Sequence, residues 1–213
     1  MIHAQQSKGA ALLCSCALAI LLSTITPKSF AADETKTAIF AGGCFWCVES
    51  DFDNVPGVIS TVSGYIGGNT DSPTYKNHSA GKHREAVEIV FDPAKVSFAE
   101  LVEVLWRSVN PTDAGGQFCD RGHSYTTAIY TLDETQADVA EASRSGLQES
   151  GVLSKPIATS IEPATTFWPA EDYHQDYYLK NPIRYKFYRT SCGRDKQVRI
   201  VWGEQAHAGI SKH

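Results

Sequence analysis

Several features that would place this chain of 213 residues in a common class are missing from it. It has no repeated segment and no low-complexity tract, which excludes a solenoid or a polar linker protein. Its 19 basic and 24 acidic side chains give a net charge of −5 with no basic patch, so nucleic acid is not an expected partner. Methionine occurs only at position 1. With 42% hydrophobic residues, the length suits one domain with a full core.

The first thirty-odd residues differ in composition from the rest of the chain. Residues 10–22 are almost wholly apolar, but this run is shorter than the ~20 residues that a membrane span needs. Lys8 precedes it, and residues 29–31 place small side chains at the two positions that a signal peptidase reads. We therefore predict a signal peptide at 1–31, no stable membrane anchor, and a periplasmic or secreted domain at 32–213.

Cleavage after Ala31 would change both the charge and the cysteine content. The removed segment contains Lys8 and Lys28 and no acid, so the net charge becomes −7. It also removes two of the six cysteines. The four that remain are Cys44, Cys47, Cys119 and Cys192. An exported protein can form disulfides, but four cysteines in this length do not make a disulfide scaffold.

Strands alternate with helices in the predicted domain, which indicates an α/β or α+β class. Strands are predicted at 37–40, 58–64, 85–91, 125–132 and 156–161. Helices are predicted at 44–53, 98–109, 133–148 and 170–179. Ser97 with Glu100 forms a capping box before the second of these helices. The last thirty residues are predicted to be irregular apart from 198–202.

The segment 42–47 reads Gly-Gly-Cys-Phe-Trp-Cys and lies between the first predicted strand and the first predicted helix. Cys44 therefore begins a helix, where unpaired N–H groups favour an anion and can lower the pKa of a thiol. Cys47 is one turn further on the same helix face. At that spacing a disulfide between the two cysteines is feasible.

Three interpretations of this cysteine pair remain open from the residues alone. It is a structural thiol pair, half of a zinc site, or a nucleophilic redox pair. A zinc site needs a second pair of ligands, and no second C-x-x-C is present. Phe45 and Trp46 would form an apolar wall beside a reactive sulfur, which favours the third interpretation.

Gly43-Cys44-Phe45-Trp46 resembles the signature of the peptide methionine sulfoxide reductase A family, whose members reverse methionine oxidation. Further blocks agree in order along the chain, so the resemblance covers about residues 39–182. These blocks are 64–68, 83–87, 120–125 and 170–182. The resemblance implies a two-layer sandwich of the ferredoxin-like type, with a mixed sheet and flanking helices.

The resemblance also implies a reaction and the residues that perform it. Cys44 attacks the sulfur of a methionine S-sulfoxide, free or in a protein, and becomes a sulfenic acid. Glu85 donates the proton that the oxygen needs, and Phe45 and Trp46 contact the methyl group. The remaining site residues implied by the family are Tyr65, which binds the oxygen, with Tyr125 and Asp120. Without the resemblance, Glu85 would be interpreted as a solvent-facing strand residue.

We expect a monomer that uses a thioredoxin-like reductant and requires neither a metal nor another cofactor. The family often has glycine at position 47 and resolving cysteines in the C-terminal tail, so this chain departs from it. We predict that Cys47 captures the sulfenic acid and that Cys192, in a mobile tail, then exchanges with Cys47. Direct capture by Cys192 remains the alternative. Cys119 is expected to be inert, and His83 and His174 to be structural.

Two other classes of protein compete with this hypothesis. A thioredoxin-like thiol–disulfide oxidoreductase would use Cys44 and Cys47, but would have a longer βαβ unit before them and would reduce insulin disulfides directly. A zinc-binding interaction module would hold stoichiometric metal and reduce nothing.

N-terminal sequencing of exported material tests the predicted location. Because residues 29–31 form a cleavage site after an apolar run, the mature chain should begin at Ala32. Recovery of exported protein with an intact Met1 would contradict the prediction.

Overall fold

In a computed structural model of the protein, the structure describes residues 1–4 and 34–211. The chain divides into the units Met1–Ala32 and Asp33–His213, and the fold and the site lie in the second. The predicted signal peptide at 1–31 falls outside the described residues, apart from its first four, and stays a prediction. Within the described ranges, no helix is long and apolar enough to cross a membrane.

The second unit contains eight strands, six helices and two 3₁₀ turns within its described residues. The strands are β1 (Lys36–Ala41), β2 (Val58–Ile66), β3 (Arg84–Phe91), β4 (Gly116–Gln117), β5 (Asp120–Arg121), β6 (Ala128–Thr131), β7 (Ser160–Pro163) and β8 (Trp168–Pro169). The helices are α1 (Phe45–Phe52), α2 (Phe98–Ser108), α3 (Glu134–Glu149), α4 (Tyr177–Lys180), α5 (Pro182–Ser191) and α6 (Arg194–Trp202). The 3₁₀ turns are His123–Tyr125 and Gly203–Gln205.

Six of the strands form one mixed sheet in the order β7-β6-β1-β3-β2-β8. The β6–β7 pair is parallel and the other pairs are antiparallel. Strands β4 and β5 form a separate two-stranded ladder. The mixed sheet with packed helices confirms the predicted fold class.

The core follows from the two-residue period of the central strands. Phe40 of β1 belongs to the main cluster, where it packs with helix residues such as Phe52 and Leu105. Its neighbour Ile39 points to the opposite face and belongs to a smaller cluster with Tyr130. The helices therefore bury one face of the sheet, as a two-layer arrangement requires.

Two helix starts form as their sequences predict. At α2, Ser97 Oγ accepts from the Glu100 N–H at 3.2 Å, and Glu100 Oε2 accepts from the Ser97 N–H at 2.7 Å. At α3, the Asp133 carboxylate accepts from the Gln136 N–H at 2.7 Å. Both satisfy backbone donors that the first helical turn leaves unpaired.

The predicted irregular C-terminal tail is wrong, because it folds into α5 and α6. The side chains that these helices bury do not form an apolar stripe. They are Tyr185, Arg189, Arg194, Val198 and Trp202. Because two of these five buried residues are arginines, a search for hydrophobic residues at helical spacing does not detect α5 and α6.

Three other predicted elements also have different bounds in the structure. The strand predicted at 156–161 is observed later in the chain, as β7. The strand predicted at 125–132 is only β6, because the 3₁₀ turn at His123–Tyr125 precedes it. The helix predicted at 170–179 is reduced to α4, because Asp176 adopts a left-handed backbone at φ 52° just before it.

Candidate active site

Cys44 lies where the central strand β1 turns into α1. Gly43 makes this turn at φ 90°, and a Cβ there would lie 2.7 Å from Gln117 Cβ, so only glycine fits. The carbonyl of Gly42 accepts from Arg194 Nη1 at 3.0 Å. Cys44 is thus held at the N-cap of α1 by contacts on both sides of the turn.

Glu85 is brought beneath the start of α1 by the register of the sheet. Phe40 of β1 pairs with Val87 of β3, so Glu85 lies just beyond the end of β1. Its side chain is 2% exposed, and its Oε2 accepts from the Phe45 N–H at 2.9 Å. The Tyr125 hydroxyl also hydrogen-bonds this carboxyl group.

These groups line a cavity of about 50 Å³, which is small beside the roughly 300–1,000 Å³ of typical ligand pockets. Its walls are Cys44, Phe45, Trp46, Tyr75, Glu85, Asp120, Tyr125 and Tyr188. The cavity therefore brings six of the predicted site residues together. Its size and aromatic walls suit the end of a side chain. A larger cavity of about 570 Å³ lies beside α2 and contains none of the predicted site residues.

Tyr65, the residue predicted to bind the oxygen, lies outside the cavity. It lies on β2 opposite Glu85, but its hydroxyl donates to Glu171 Oε2 at 2.9 Å, and it does not line the cavity. Tyr75, in the loop after β2, takes the predicted place, and its N–H donates to Glu171 Oε1 at 3.1 Å. The prediction for Tyr65 is therefore corrected to Tyr75. The turn-rich loop at 69–82 contains that tyrosine but no local signal for its direction.

Trp46 is fixed by contacts from the C-terminal part of the domain. Its Nε1–H donates to His174 Nδ1 at 3.1 Å, and its ring stacks on Tyr177 with centroids 3.8 Å apart. His174 also packs on Phe45 at 5.0 Å. His174 thus orients the aromatic wall, which agrees with the structural role predicted for it.

The predicted lowering of the Cys44 pKa is wrong. Burial raises the pKa of this thiol well above its usual range, and the neighbouring Cys47 and Glu85 raise it further. Three N–H groups of the first turn are not free for the sulfur: the Phe45 N–H donates to Glu85, and the Cys47 and Val48 N–H groups donate to the Cys44 carbonyl. In the free protein, Cys44 is therefore a protonated thiol near neutral pH.

Glu85 is held in its acid form near neutral pH. Burial raises its pKa to about 8, although the hydrogen bonds from Phe45 and Tyr125 favour the carboxylate. The negative charge of Asp120 adds to the increase. A buried carboxylic acid beside a sulfur can donate a proton to an oxygen bound there.

The four cysteines of the predicted domain form two pairs with different exposure. Cys44 and Cys47 are both free thiols and both buried. The hydrogen bond from the Cys44 thiol is the main cause that lowers the pKa of Cys47. The positive charges of Arg194 and Arg189 lower it further.

Cys119 and Cys192 form a disulfide 73 residues apart in the chain, and Cys119 is exposed. The predictions of an inert Cys119 and a mobile Cys192 are therefore wrong.

A zinc site gains no support from the described part of the chain. Its one cluster of three potential ligands is Cys119, Asp120 and Cys192. The two sulfurs of that cluster are bonded to each other, so they are not thiolates available to a metal.

The fold and the cavity together define a thiol enzyme of the oxidoreductase class. A buried cysteine and a carboxylic acid meet in a small aromatic cavity, and a second buried thiol lies one helical turn beyond the cysteine. A sequence model of the peptide methionine sulfoxide reductase family matches residues 36–206. The chain belongs to that family.

Relatives and solved structures agree with this assignment. Peptide methionine sulfoxide reductase MsrA 2 of Rhizobium meliloti (strain 1021) is 57% identical over 180 residues, which cover 84% of this chain and 90% of that relative. MsrA of Bacillus subtilis (strain 168) is 47% identical over 175 residues, which cover 81% and 98%. The structure is also similar to methionine sulfoxide reductase A of Corynebacterium diphtheriae, with a TM-score of 0.62 and 34% identity over 70% of this chain and 76% of that one. Mxr1 from Saccharomyces cerevisiae in reduced form has a TM-score of 0.64 and 27% identity over 70% and 87%.

Replacing Glu85 with glutamine keeps the shape of the side chain and removes its proton. If Glu85 is the acid, Glu85→Gln should lower the turnover rate by about 10²–10⁴. The wild-type rate should fall as pH rises through about 8, where Glu85 ionises, and the variant should lack that descent. Glu88→Gln, on the same strand outside the cavity, should leave the rate unchanged. A wild-type pH–rate profile in Glu85→Gln would return Glu85 to a structural role.

The same variant should alter stability in a predictable direction. The pKa of Glu85 is raised on folding, so its stabilising contribution is complete at low pH and is lost from about pH 4.5 to about pH 8. Glutamine carries no such loss. The Tm of Glu85→Gln relative to wild type should therefore increase across that window, by about 2–4 °C for each kcal/mol.

Proposed function

We propose that this chain reduces methionine S-sulfoxide, free or in proteins, at Cys44. The observation that carries the proposal is the buried Cys44 thiol facing a protonated Glu85 in a cavity that admits one small group. Membership of the family gives the same reaction. Transfer of the substrate oxygen to Cys44 converts the sulfoxide to methionine and the cysteine to a sulfenic acid.

The lining of the cavity divides into two parts that match the two ends of a methyl sulfoxide. Phe45 and Trp46 offer an apolar surface for the methyl group. Tyr75, Tyr125 and Glu85 offer hydroxyl and carboxyl donors to the oxygen, where negative charge develops when the sulfur is attacked. A donor near the oxygen is needed because oxide is a poor leaving group without a proton.

The thioredoxin-like alternative fits the structure less well. Its reaction requires a sulfur that a protein disulfide can approach, and access limits thiol–disulfide exchange. Cys44 is 5% exposed and Cys47 is 2% exposed. The adjoining strand β1 is antiparallel to both of its neighbours, which does not form the expected βαβ unit.

An assay with separated sulfoxide epimers tests the reaction. The S epimer should be consumed with dithiothreitol as the electron donor, and the R epimer should remain; the choice of epimer rests on the family. Cys44→Ser should abolish turnover even in excess dithiothreitol, because no other group in the cavity can accept the oxygen. Retained activity in Cys44→Ser would place the nucleophile elsewhere.

Cys47 is proposed as the thiol that resolves the sulfenic acid. Cys47 is a free thiol that is hydrogen-bonded to the Cys44 thiol one turn away, whereas Cys192 forms a disulfide with Cys119. Attack by Cys47 on the Cys44 sulfenic acid forms a disulfide and releases water. The exposed Cys119–Cys192 pair would then accept two electrons from a thioredoxin-like dithiol and pass them inward by disulfide exchange.

Single-turnover experiments without a reductant test the order of the cysteines. Cys47→Ser should form one methionine and retain a Cys44 sulfenic acid that dimedone traps. Cys192→Ser should still form the Cys44–Cys47 disulfide but be recycled poorly by thioredoxin. A rapid Cys44–Cys192 disulfide with normal thioredoxin turnover in Cys47→Ser would show that Cys192 is the resolving cysteine.

The location of this activity is a separate part of the proposal. Export through the segment at 1–31 would place the enzyme where oxidants reach proteins directly and where a thioredoxin-like reductant must also be exported. The protein is proposed to act there as a monomer.

A further inference from the structure

Tyr188 was not a predicted site residue, yet its hydroxyl lies between two groups of the cavity. It donates a short hydrogen bond to Asp120 Oδ2 and also hydrogen-bonds the Cys44 thiol. The edge of its ring contacts Trp46, with centroids 5.8 Å apart. Tyr188 therefore touches the sulfur that would react, and links it to a carboxyl group.

The Cys119–Cys192 disulfide joins the two chain segments that make this link. Cys119 directly precedes Asp120, and Cys192 ends α5 one turn beyond Tyr188, where its N–H donates to the Tyr188 carbonyl at 2.9 Å. Cys192 Sγ lies 3.7 Å from Asp120 Oδ2. The covalent bond thus keeps the carboxyl group of Asp120 against the hydroxyl of Tyr188.

Ionising Cys44 alone would add a negative charge to a site that excludes most water. Such a charge is costly in a low-dielectric interior unless another charge disappears with it. If the proton moves to the carboxylate of Asp120, the number of negative charges in the cavity stays the same. A base inside the cavity would therefore allow Cys44 to ionise without adding a negative charge to the buried site.

We propose that Tyr188 is a catalytic residue that relays the proton of Cys44 to Asp120. The Cys44 S–H bond breaks as its proton passes to Tyr188 Oη, and the proton of that hydroxyl passes to Asp120 Oδ2. A thiol and a carboxylate become a thiolate and a carboxylic acid, with no change in oxidation state. The disulfide is the positioning element. The inference rests on the proposed function only for what the thiolate then attacks.

Other titratable groups face this relay and must be allowed for. Cys44 faces Cys47 from its own helix and Glu85 from β3, with Tyr75 and Tyr125 in the cavity wall.

Asp120 faces Tyr188 of α5, Arg194 of α6 and Glu85 of β3; burial raises its pKa, while Tyr188 and Arg194 oppose that change. Cys47 is the other group that could take the proton of Cys44. It is therefore removed in the experiment.

The test measures thiolate directly and needs no sulfoxide. In the mature Cys47→Ser protein with the disulfide intact, Cys44 is the one free thiol among the described residues, and mass spectrometry follows its alkylation by iodoacetamide against pH. Adding Tyr188→Phe should lower the alkylation rate at neutral pH about tenfold and move the midpoint of the profile upward by about one pH unit. The midpoint, unlike the rate, is insensitive to any change in access.

Asp120→Asn separates a relay from simple charge repulsion. If Asp120 acted only through its negative charge, its removal would ease ionisation and move the midpoint downward. The relay predicts an upward shift, and a double variant with Tyr188→Phe no worse than either single variant. A downward shift, or additive shifts in the double variant, would overturn the proposal.

Tyr178→Phe is the matched control for loss of a tyrosine hydroxyl. Tyr178 lies on α4, outside the cavity, and its hydroxyl donates to Asp53 Oδ2 at 2.9 Å. Removing that hydroxyl should leave the pH profile of alkylation unchanged. Replacing Cys119 and Cys192 together with serine should shift the midpoint in the same direction as Tyr188→Phe. An unchanged midpoint there would overturn the positioning role of the disulfide. An unshifted midpoint in Tyr188→Phe would overturn the relay itself, whether or not the protein reduces sulfoxides.

Discussion

The guanidinium group of Arg194 joins three parts of the chain around the nucleophile. It donates to the Gly42 carbonyl beside the nucleophile and to the Ser108 carbonyl at the end of α2, and lies 3.6 Å from the Asp51 carboxylate of α1. Its face covers the ring of Phe118 at 5.0 Å. Because Arg194 is 1% exposed, removing the Asp51 carboxylate would leave its buried charge without that compensation, at a cost of about 3–5 kcal/mol. Arg194 therefore helps to hold the turn that carries Cys44.

Burial from solvent determines which groups in the cavity are charged. Burial raises the pKa of Glu85 and of Cys44 together, which favours an uncharged acid and an uncharged thiol in the resting protein. Sulfoxide reduction needs the acid as it is but needs the thiol ionised. Glu85 and Cys44 share one buried environment but need opposite protonation states. Other groups must therefore favour the thiolate of Cys44 without ionising Glu85. Asp120 and Tyr188 contact the sulfur side, whereas the Phe45 N–H and Tyr125 hold the acid.

The central part of the site could be predicted because it is local in sequence. Cys44 and its aromatic neighbours are contiguous, and Glu85 lies in a strand with a clear two-residue period. No local signal indicates Tyr75, because contacts that are distant in sequence hold the loop at 69–82 over the cavity. Two of them are the hydrogen bond from Tyr75 to Glu171 and the contact of its ring with His174, each about a hundred residues away.

The C-terminal half of the site was beyond prediction for a related reason. Helices α5 and α6 direct Arg189 and Arg194 inward and have no apolar stripe. From sequence they are therefore interpreted as solvent-exposed, because the ion pairs of these arginines with Asp51 form only in the folded protein. Without those helices, nothing in the sequence brings Cys192 to Cys119 or Tyr188 to Cys44.

The two edges of the main sheet limit how a polypeptide can approach this protein. β7 and β8 are short and each ends in a proline, at Pro163 and Pro169, which has no N–H to offer another strand. A further strand at either of these two positions would therefore meet a residue without a hydrogen-bond donor. A damaged protein must instead present a single side chain to the cavity while its backbone stays outside.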